Sequence, residues 1–433
     1  MNQNENIAEP REIYQAVEHL FRQEAVKMVA ILTRIFGFEH LALAEDVVQE
    51  ALVRALQTWP FYGVPQNPAA WLMRTARNLA LDVVRREKVF REKEPEIVRL
   101  IEMESAGPIG AVFSDHEIAD DRLRMMFVCS HPIIPEEAQV ALALKTLCGF
   151  SVTEIARAFL TTDAAIAKRL TRAKQKISDA GIPFEIPTGA ELGGRLDGVL
   201  RSLYLLFNEG YKASGGDQLV REDICNEAIR LAALLVKHPS GNQPKTHALL
   251  ALMLLNAARN PARLDDEGNL LRLRDQDRTR WRPSLIARGM FHISQSAAGG
   301  EISAYHLQAG IAACHCVAPD YESTDWVEIL ALYDRLLELD RSPIVALNRA
   351  VALAEVHGPE AAIRAVNAME YRESLVGYYL FYAVRGEFEL RLNHLSAAIT
   401  EFRKALQMTE LESERRFLTL RLRACEPASE LVS

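Results

Sequence analysis

The stretch SVTEIARAFLTTDAAIAKRLTRAKQKI, residues 151–177, leaves few folds open. Its apolar residues return at helical rather than strand spacing, in two runs separated by Thr161 and Thr162. So short a connection makes the two helices pack on each other as a helix-turn-helix. Ser151 is placed to cap the first helix, and Glu154 three residues on completes a capping box. Ile155, Phe159 and Leu160 supply its apolar side, and Asp163 is expected as the N-cap of the second helix.

On a wheel of about 100° per residue, the second helix segregates cleanly. Ile166, Leu170, Ala173 and Ile177 form one narrow apolar stripe. Opposite lie Lys168, Thr171, Arg172 and Gln175, with Arg169, Lys174 and Lys176 on the flanks. After Asp163 this helix carries no acid as far as Ile177, whereas solvated helix faces usually mix signs. An unbalanced basic face suits a recognition helix, whose centre reaches base edges and whose flanks neutralise phosphates. The chain as a whole is acidic, with 50 Lys+Arg against 58 Asp+Glu, so any DNA contact must be local.

The 433 residues exceed one ordinary core, and about 150 residues per domain suggests about three domains. Ala, Leu, Glu and Arg are abundant and strand-like alternation is scarce, which predicts an all-α protein. No apolar run approaches the roughly 20 residues that span a bilayer, so no membrane partner is expected. The start, MNQNENIAEPREIYQ, lacks a signal-peptide pattern, and six scattered cysteines suit a reducing cytoplasm. A first helical block covers 11–91. An acidic linker of poor periodicity follows at 92–121, then the helix-turn-helix block at 122–181. The Pro/Gly-punctuated GIPFEIPTG, residues 181–189, leads into helices filling 190–433.

A second basic face has a different character. NPAAWLMRTARNLALDVVRREK opens with Asn67 as N-cap and Pro68 at the first helical position. Leu72, Ala76, Leu79 and Val83 are expected inside. Arg74, Arg77, Asn78, Leu81, Arg85 and Lys88 are expected outside. The preceding WPFYGVPQ, residues 59–66, reads as a loop presenting Phe61 and Tyr62, while Trp59 and Trp71 read as core. Basic side chains beside aromatics are what unstacked bases require. Upstream, AEDVVQEALVRALQTW buries Ala44, Val47, Val48, Ala51, Leu52 and Ala55. Its outer face of Asp46, Gln49, Glu50, Val53 and Gln57 is either solvated or a dock for a protein surface carrying arginine.

These pieces, in this order and spacing, resemble the extracytoplasmic-function sigma factors of bacterial RNA polymerase. AEDVVQEALVRAL with PAAWLMRTARNLALDVVRR is similar to their second conserved region, and residues 151–177 to their fourth. The resemblance covers about the first 180 residues and implies two small helical sigma domains joined by the acidic linker. It implies that Asp46, Gln49, Glu50 and Val53 meet core RNA polymerase. Phe61, Tyr62 and Asn67, with Arg74, Arg77, Asn78, Arg85 and Lys88, would hold the melted -10 element. The -35 element of promoter DNA would meet Lys168, Arg172 and Lys174, to which the wheel adds Arg169, Thr171, Gln175 and Lys176. Ala167 stands where family members often carry a base, so their -35 preference does not transfer.

The remainder reads as binding rather than catalysis. GYYLFYAVRGEFELRLNHLSAAITEFRKALQM, residues 377–408, resembles a tetratricopeptide repeat, with Gly386, Ala398, Phe402 and Ala405 at its small and aromatic offsets. Residues 342–369 look like a weaker copy through Ala350, Ala362 and Val366. The whole resembles the sigma subgroup with a TPR-like C-terminal extension, which implies regulation by intramolecular contact. Cys314, His315 and Cys316 match no zinc spacing, and DQDRTRW reads as a cap with salt bridges. No enzyme, cofactor or metal site is therefore expected. The rival reading is a helix-turn-helix regulator with a ligand-sensing repeat domain, which would need no aromatic-flanked basic helix upstream.

Overall fold

In the computed structural model, residues 25–86, 115–159, 161–182, 184–185, 187, 190–212, 220–409 and 411–425 are described. Among them every regular element is helical, apart from one isolated antiparallel bridge between Leu264 and Leu270, so the protein is all-α. Expectations for residues 11–24, for most of the linker and for Leu160 and Lys88 lie outside the described residues. The chain divides into two compact units, Met1–Leu206 and Phe207–Ser433.

Among the described residues, the first unit starts with α1 (25–36) and a 3-10 turn at Phe38–His40. Helix α2 (Leu41–Tyr62) buries the expected stripe of Ala44, Val47, Val48, Ala51, Leu52 and Ala55. Its alanines let α3 (Pro68–Arg86) pack closely. Asn67 caps α3 as expected, its Oδ1 accepting the Ala70 N–H at 3.0 Å. The rotation of α3 needs correction. Leu72, Ala76, Ala80, Leu81 and Val84 are buried, while Leu79 and Val83 are only half-buried. The small Ala76 and Ala80 turn the every-fourth-residue row inward, and Leu81 leaves the outer face with it.

The aromatic segment is also not a loop. Helix α2 continues through Pro60, which near a C-terminus forfeits little beyond its own N–H. Gly63, at φ 80°, ends the helix by donating to Trp59 O at 2.9 Å. Trp59 is buried and meets Trp71 edge-on at 5.5 Å.

Helix α4 (Asp115–Cys129) begins inside the stretch expected as linker. Asp121 there is buried, with Arg34 Nε at 3.3 Å and Arg124 Nη1 at 2.8 Å. Helix α5 (Glu136–Cys148) ends on Gly149 in the left-handed conformation. Then come α6 (Val152–Ala158) and α7 (Asp163–Asp179). In α8 (Ala190–Tyr211), Leu196, Val199, Leu200 and Leu203 are buried. Gly198 leaves no room for a side chain, since a Cβ there would collide with Gln139 and lie 3.1 Å from the Ser130 Cβ. Gln139 cannot easily yield, because its Nε2 donates to Ile134 O at 3.1 Å.

The second unit is built of α9 (Glu222–Lys237), α10 (Pro244–Ala258), α11 (Pro283–Ser296) and α12 (Ala304–Val317), followed by helical hairpins. The hairpins comprise α13 (Trp326–Leu339), α14 (Pro343–His357), α15 (Pro359–Asn367), α16 (Tyr379–Arg391), α17 (Leu395–Met408) and α18 (Glu412–Arg423). Helix α10 is apolar nearly all round and is buried accordingly. Gly386 of α16 lets the Phe402 ring of α17 approach so closely that a Cβ would meet it at 2.8 Å. Ala350, Ala362, Val366, Ala398 and Ala405 are likewise buried. Asp277 caps a short turn by accepting the Thr279 N–H at 2.9 Å, in keeping with the expected cap. Of the Cys-His-Cys run, His315 is buried and the two cysteines are only half-buried. No helix among the described residues is long and apolar enough to cross a membrane.

Gly198→Leu is expected to destabilise the first unit by about 1–3 kcal/mol through overpacking. The local readout is alkylation of Cys129, which is fully buried and whose thiol is pushed up to about 12 by burial. Faster modification of Cys129 and a lower apparent Tm are expected, and wild-type rates would show that α8 does not brace this core.

Candidate nucleic-acid interface

Four hydrogen bonds build the helix-turn-helix from its ends. The capping box at Ser151 is complete: Glu154 N–H donates to Ser151 Oγ at 3.1 Å, and Ser151 N–H to Glu154 Oε2 at 2.8 Å. The N-cap of α7 is Thr162 rather than Asp163, its Oγ1 accepting the Ala165 N–H at 3.3 Å. Asp163 lies in the first turn and instead accepts the Thr153 hydroxyl at 2.6 Å, tying α6 to α7. A carboxylate there also suits the positive end of the helix dipole.

Ile166, Leu170, Ala173 and Ile177 are buried as a single stripe. Lys168, Thr171, Arg172, Gln175 and Lys176 are consequently exposed. Lys168 and Arg172 line a groove of about 790 Å³ that reaches Ile134, Pro135 and Glu137. The flanking cations are placed differently. Arg169 is half-buried, 2.8 Å from Glu137 and 5.7 Å from the Phe159 ring centroid. Lys174 is half-buried in an ion pair with Glu45 of α2. Gln175 donates to Asp179 at 2.7 Å, and Thr171 to the Ala167 carbonyl at 3.0 Å.

On α3, Arg74, Asn78 and Arg85 are exposed. Arg77 is half-buried, and its Nε is enclosed without a hydrogen-bond partner. Phe61 and Tyr62 are 83% and 86% exposed at the end of α2, so both rings are available although they sit on a helix. On the outer face of α2, Asp46, Gln49, Glu50 and Val53 are all exposed, and Glu50 pairs with Arg54 at 3.1 Å.

Sequence reasoning did not single out Glu45 or Glu137, the acids that occupy two of the flanking cations. Glu45 adjoins Asp46 on α2, but no local pattern pairs it with a lysine more than a hundred positions away.

Residues 20–89 match Sigma-70 region 2, residues 129–177 match Sigma-70 region 4, and residues 195–297 match a family of unknown function, DUF6596. The uncharacterized protein R00370 of Rhizobium meliloti (strain 1021) is 40% identical over 395 residues, covering 90% of this chain and 92% of that protein. The ECF RNA polymerase sigma factor SigE of Mycolicibacterium smegmatis is 28% identical over 163 residues, which are 37% of this chain and 60% of that protein. No solved structure matches. The chain thus belongs to one family with R00370, and its first half carries regions 2 and 4 of an RNA polymerase sigma factor.

Proposed function

We propose that the protein is a cytoplasmic sigma factor of the extracytoplasmic-function class, regulated by its own C-terminal extension. The observation that carries the reading is the α7 face within the region 4 match. Lys168, Thr171, Arg172 and Gln175 are exposed opposite a fully buried stripe. In this reading α7 enters the major groove at the -35 element, and Arg172 reads a base edge while Lys176 neutralises phosphate. Phe61 and Tyr62, with Asn67, Arg74, Asn78 and Arg85, hold the melted -10 element. Arg77 has less freedom to join them, and Lys88 is assigned on sequence alone. Asp46, Gln49, Glu50 and Val53 dock on core polymerase. The rival reading, a helix-turn-helix regulator that works without polymerase, leaves the region 2 match without a purpose.

Residues 190–433 form the regulatory extension in this proposal, with 11–91 and 122–181 as the two sigma domains. Its hairpins are read as TPR-like, on the support of the Gly386–Phe402 packing and the buried Ala350, Ala362 and Val366. The DUF6596 match, residues 195–297, covers the part without repeat offsets. A cut near Thr188 would remove α8 and expose the core around Ser130 and Gln139. A cut after Lys212 keeps α8 and is the fairer test.

Run-off transcription with core polymerase on the gene's own upstream region is expected to give a specific product with the full chain. Removal of residues 213–433 is expected to change its amount several-fold. Equal transcription at matched concentration would make the extension an independent module.

Arg172→Ala is expected to cost about 1–3 kcal/mol of discrimination between promoter and unrelated duplex. Lys176→Ala is expected instead to weaken binding to all sequences and reduce the salt slope by about one. Titrations at several salt concentrations separate the two, and equal loss on every sequence for Arg172→Ala would remove its base-reading role.

Glu45→Gln removes the charge that holds Lys174. Duplex binding by this variant is expected to tighten, with a salt slope steeper by about one phosphate contact. An unchanged slope would mean that Lys174 takes no part in the DNA contact.

A further inference from the structure

The second unit holds a partly open pocket of about 380 Å³, lined by residues from Leu270 to Phe417 and by none of α7. Its interior is apolar and aromatic, with Trp326 and Tyr333 of α13, Val351 of α14, and Val384 and Phe388 of α16. One side is closed by the chain itself, the segment Leu270–Arg274. That segment is pinned by the Leu271 N–H donating to Arg263 O at 2.9 Å and by Arg272 bonding to Glu387 at 3.1 Å. Its size falls in the range of small-ligand pockets. A space of about 380 Å³ suits a small molecule rather than an extended peptide.

The charges of the lining narrow the ligand further. Glu355 is paired with Arg391 at 2.6 Å, and together with burial its charge pushes the Tyr321 phenol up. Glu387 is bracketed by Arg272 and Arg421. Both carboxylates are therefore matched, and neither calls for a ligand cation. Two groups remain. His315 is 9% exposed, lines the cavity, and has a buried Nδ1 with no hydrogen-bond partner. Burial and the nearby Arg259 and Arg278 hold its imidazole neutral, with the pKa lowered to about 3. Arg274 is exposed on the lining, its guanidinium 4.8 Å from the Tyr321 ring centroid. Among the described residues no carboxylate lies within ion-pair reach of it.

We propose that this cavity binds a small aromatic monoanion, with its ring body in the apolar interior beside His315 and its anionic group on Arg274. Arginine stacked on a ring keeps its N–H edge free for an anionic oxygen, and an aromatic body gains most from Trp326, Tyr333 and Phe388.

The test uses the full chain and two fluorescent probes of nearly the same shape. One is 1-anilinonaphthalene-8-sulfonate, which is anionic, and the other is N-phenyl-1-naphthylamine, which is uncharged. Saturable binding of the anionic probe is expected, weakened about tenfold or more by Val384→Trp, which fills the cavity. Arg274→Gln is expected to weaken the anionic probe several-fold and leave the uncharged probe unchanged. Near-ultraviolet circular dichroism checks that each variant keeps its packing, since loosened cores bind such dyes without specificity. If Val384→Trp does not fold, the Arg274→Gln comparison decides alone, because that side chain is exposed. Absence of saturable binding, binding untouched by a folded Val384→Trp, or an Arg274→Gln effect that is nil or equal for both probes would overturn the proposal.

Discussion

Burial of one apolar stripe per helix fixes the rotation of the elements on which the functional reading rests. Four side chains of α7, Ile166, Leu170, Ala173 and Ile177, are withdrawn from water. At roughly 1.5–3 kcal/mol for a fully buried large aliphatic side chain, no surface interaction competes with that term. Lys168 and Arg172 are outside because the other side is apolar, and no contact has to hold them there. The same logic turns Asp46, Gln49, Glu50 and Val53 outward on α2, whose inner face includes Ala44, Ala51 and Ala55. The chemistry of each exposed face is thus a consequence of core packing.

Where one stripe was narrow and its residues large, the sequence was enough to read both fold and face, as for α7 and α2. Helix α3 was less legible because alanines dominate its inner side. Choosing between Leu79–Val83 and Ala80–Val84 depends on how closely α2 approaches, and that is a tertiary quantity. Phe61 and Tyr62 were read as exposed and are exposed, but composition alone misassigned them to a loop. A proline one turn from a helix end does not stop the helix when its neighbour Trp59 is anchored in the core. Asp163 was mistaken for a cap because it and Thr162 are both good cap residues, and only the observed bonds separate them. The cavity in the second unit had no local signature, since its lining is drawn from Leu270 to Phe417.

The acidic balance of the chain acquires a specific meaning beside α7. Glu137 and Glu45 take up Arg169 and Lys174, the flanks of the basic face, while Lys168 and Arg172 form no ion pair among the described residues. The Arg169–Glu137 pair, whose carboxylate is exposed, is of the kind that contributes about 0–1 kcal/mol, so phosphates can compete for its cation more readily than for Lys174, half-buried with Glu45. Under the proposed function, such acids lower non-specific attraction to nucleic acid and leave Lys168 and Arg172 unpaired for base contact. An acidic protein can in this way carry a DNA-reading helix without adhering to every duplex.

Arginine serves two different ends in this chain, and the contrast shows why counting bases is a poor guide to function. In the second unit Arg278 donates to the His315 carbonyl at 2.8 Å and to Thr324 at 3.1 Å. Arg391 pairs with Glu355, and Arg272 and Arg421 share Glu387. These guanidiniums serve as multidentate struts between helices and loops, a role that their planar fork suits better than a lysine ammonium would. The sequence RLRDQDRTRWR, residues 272–282, carries five arginines, as many bases as α7, yet much of that charge is taken up inside the unit. What supports reading α7 as an interface is therefore that Lys168 and Arg172 form no ion pair among the described residues, on a helix whose orientation the core has fixed. By the same criterion Arg274 stands apart from its neighbours in the second unit.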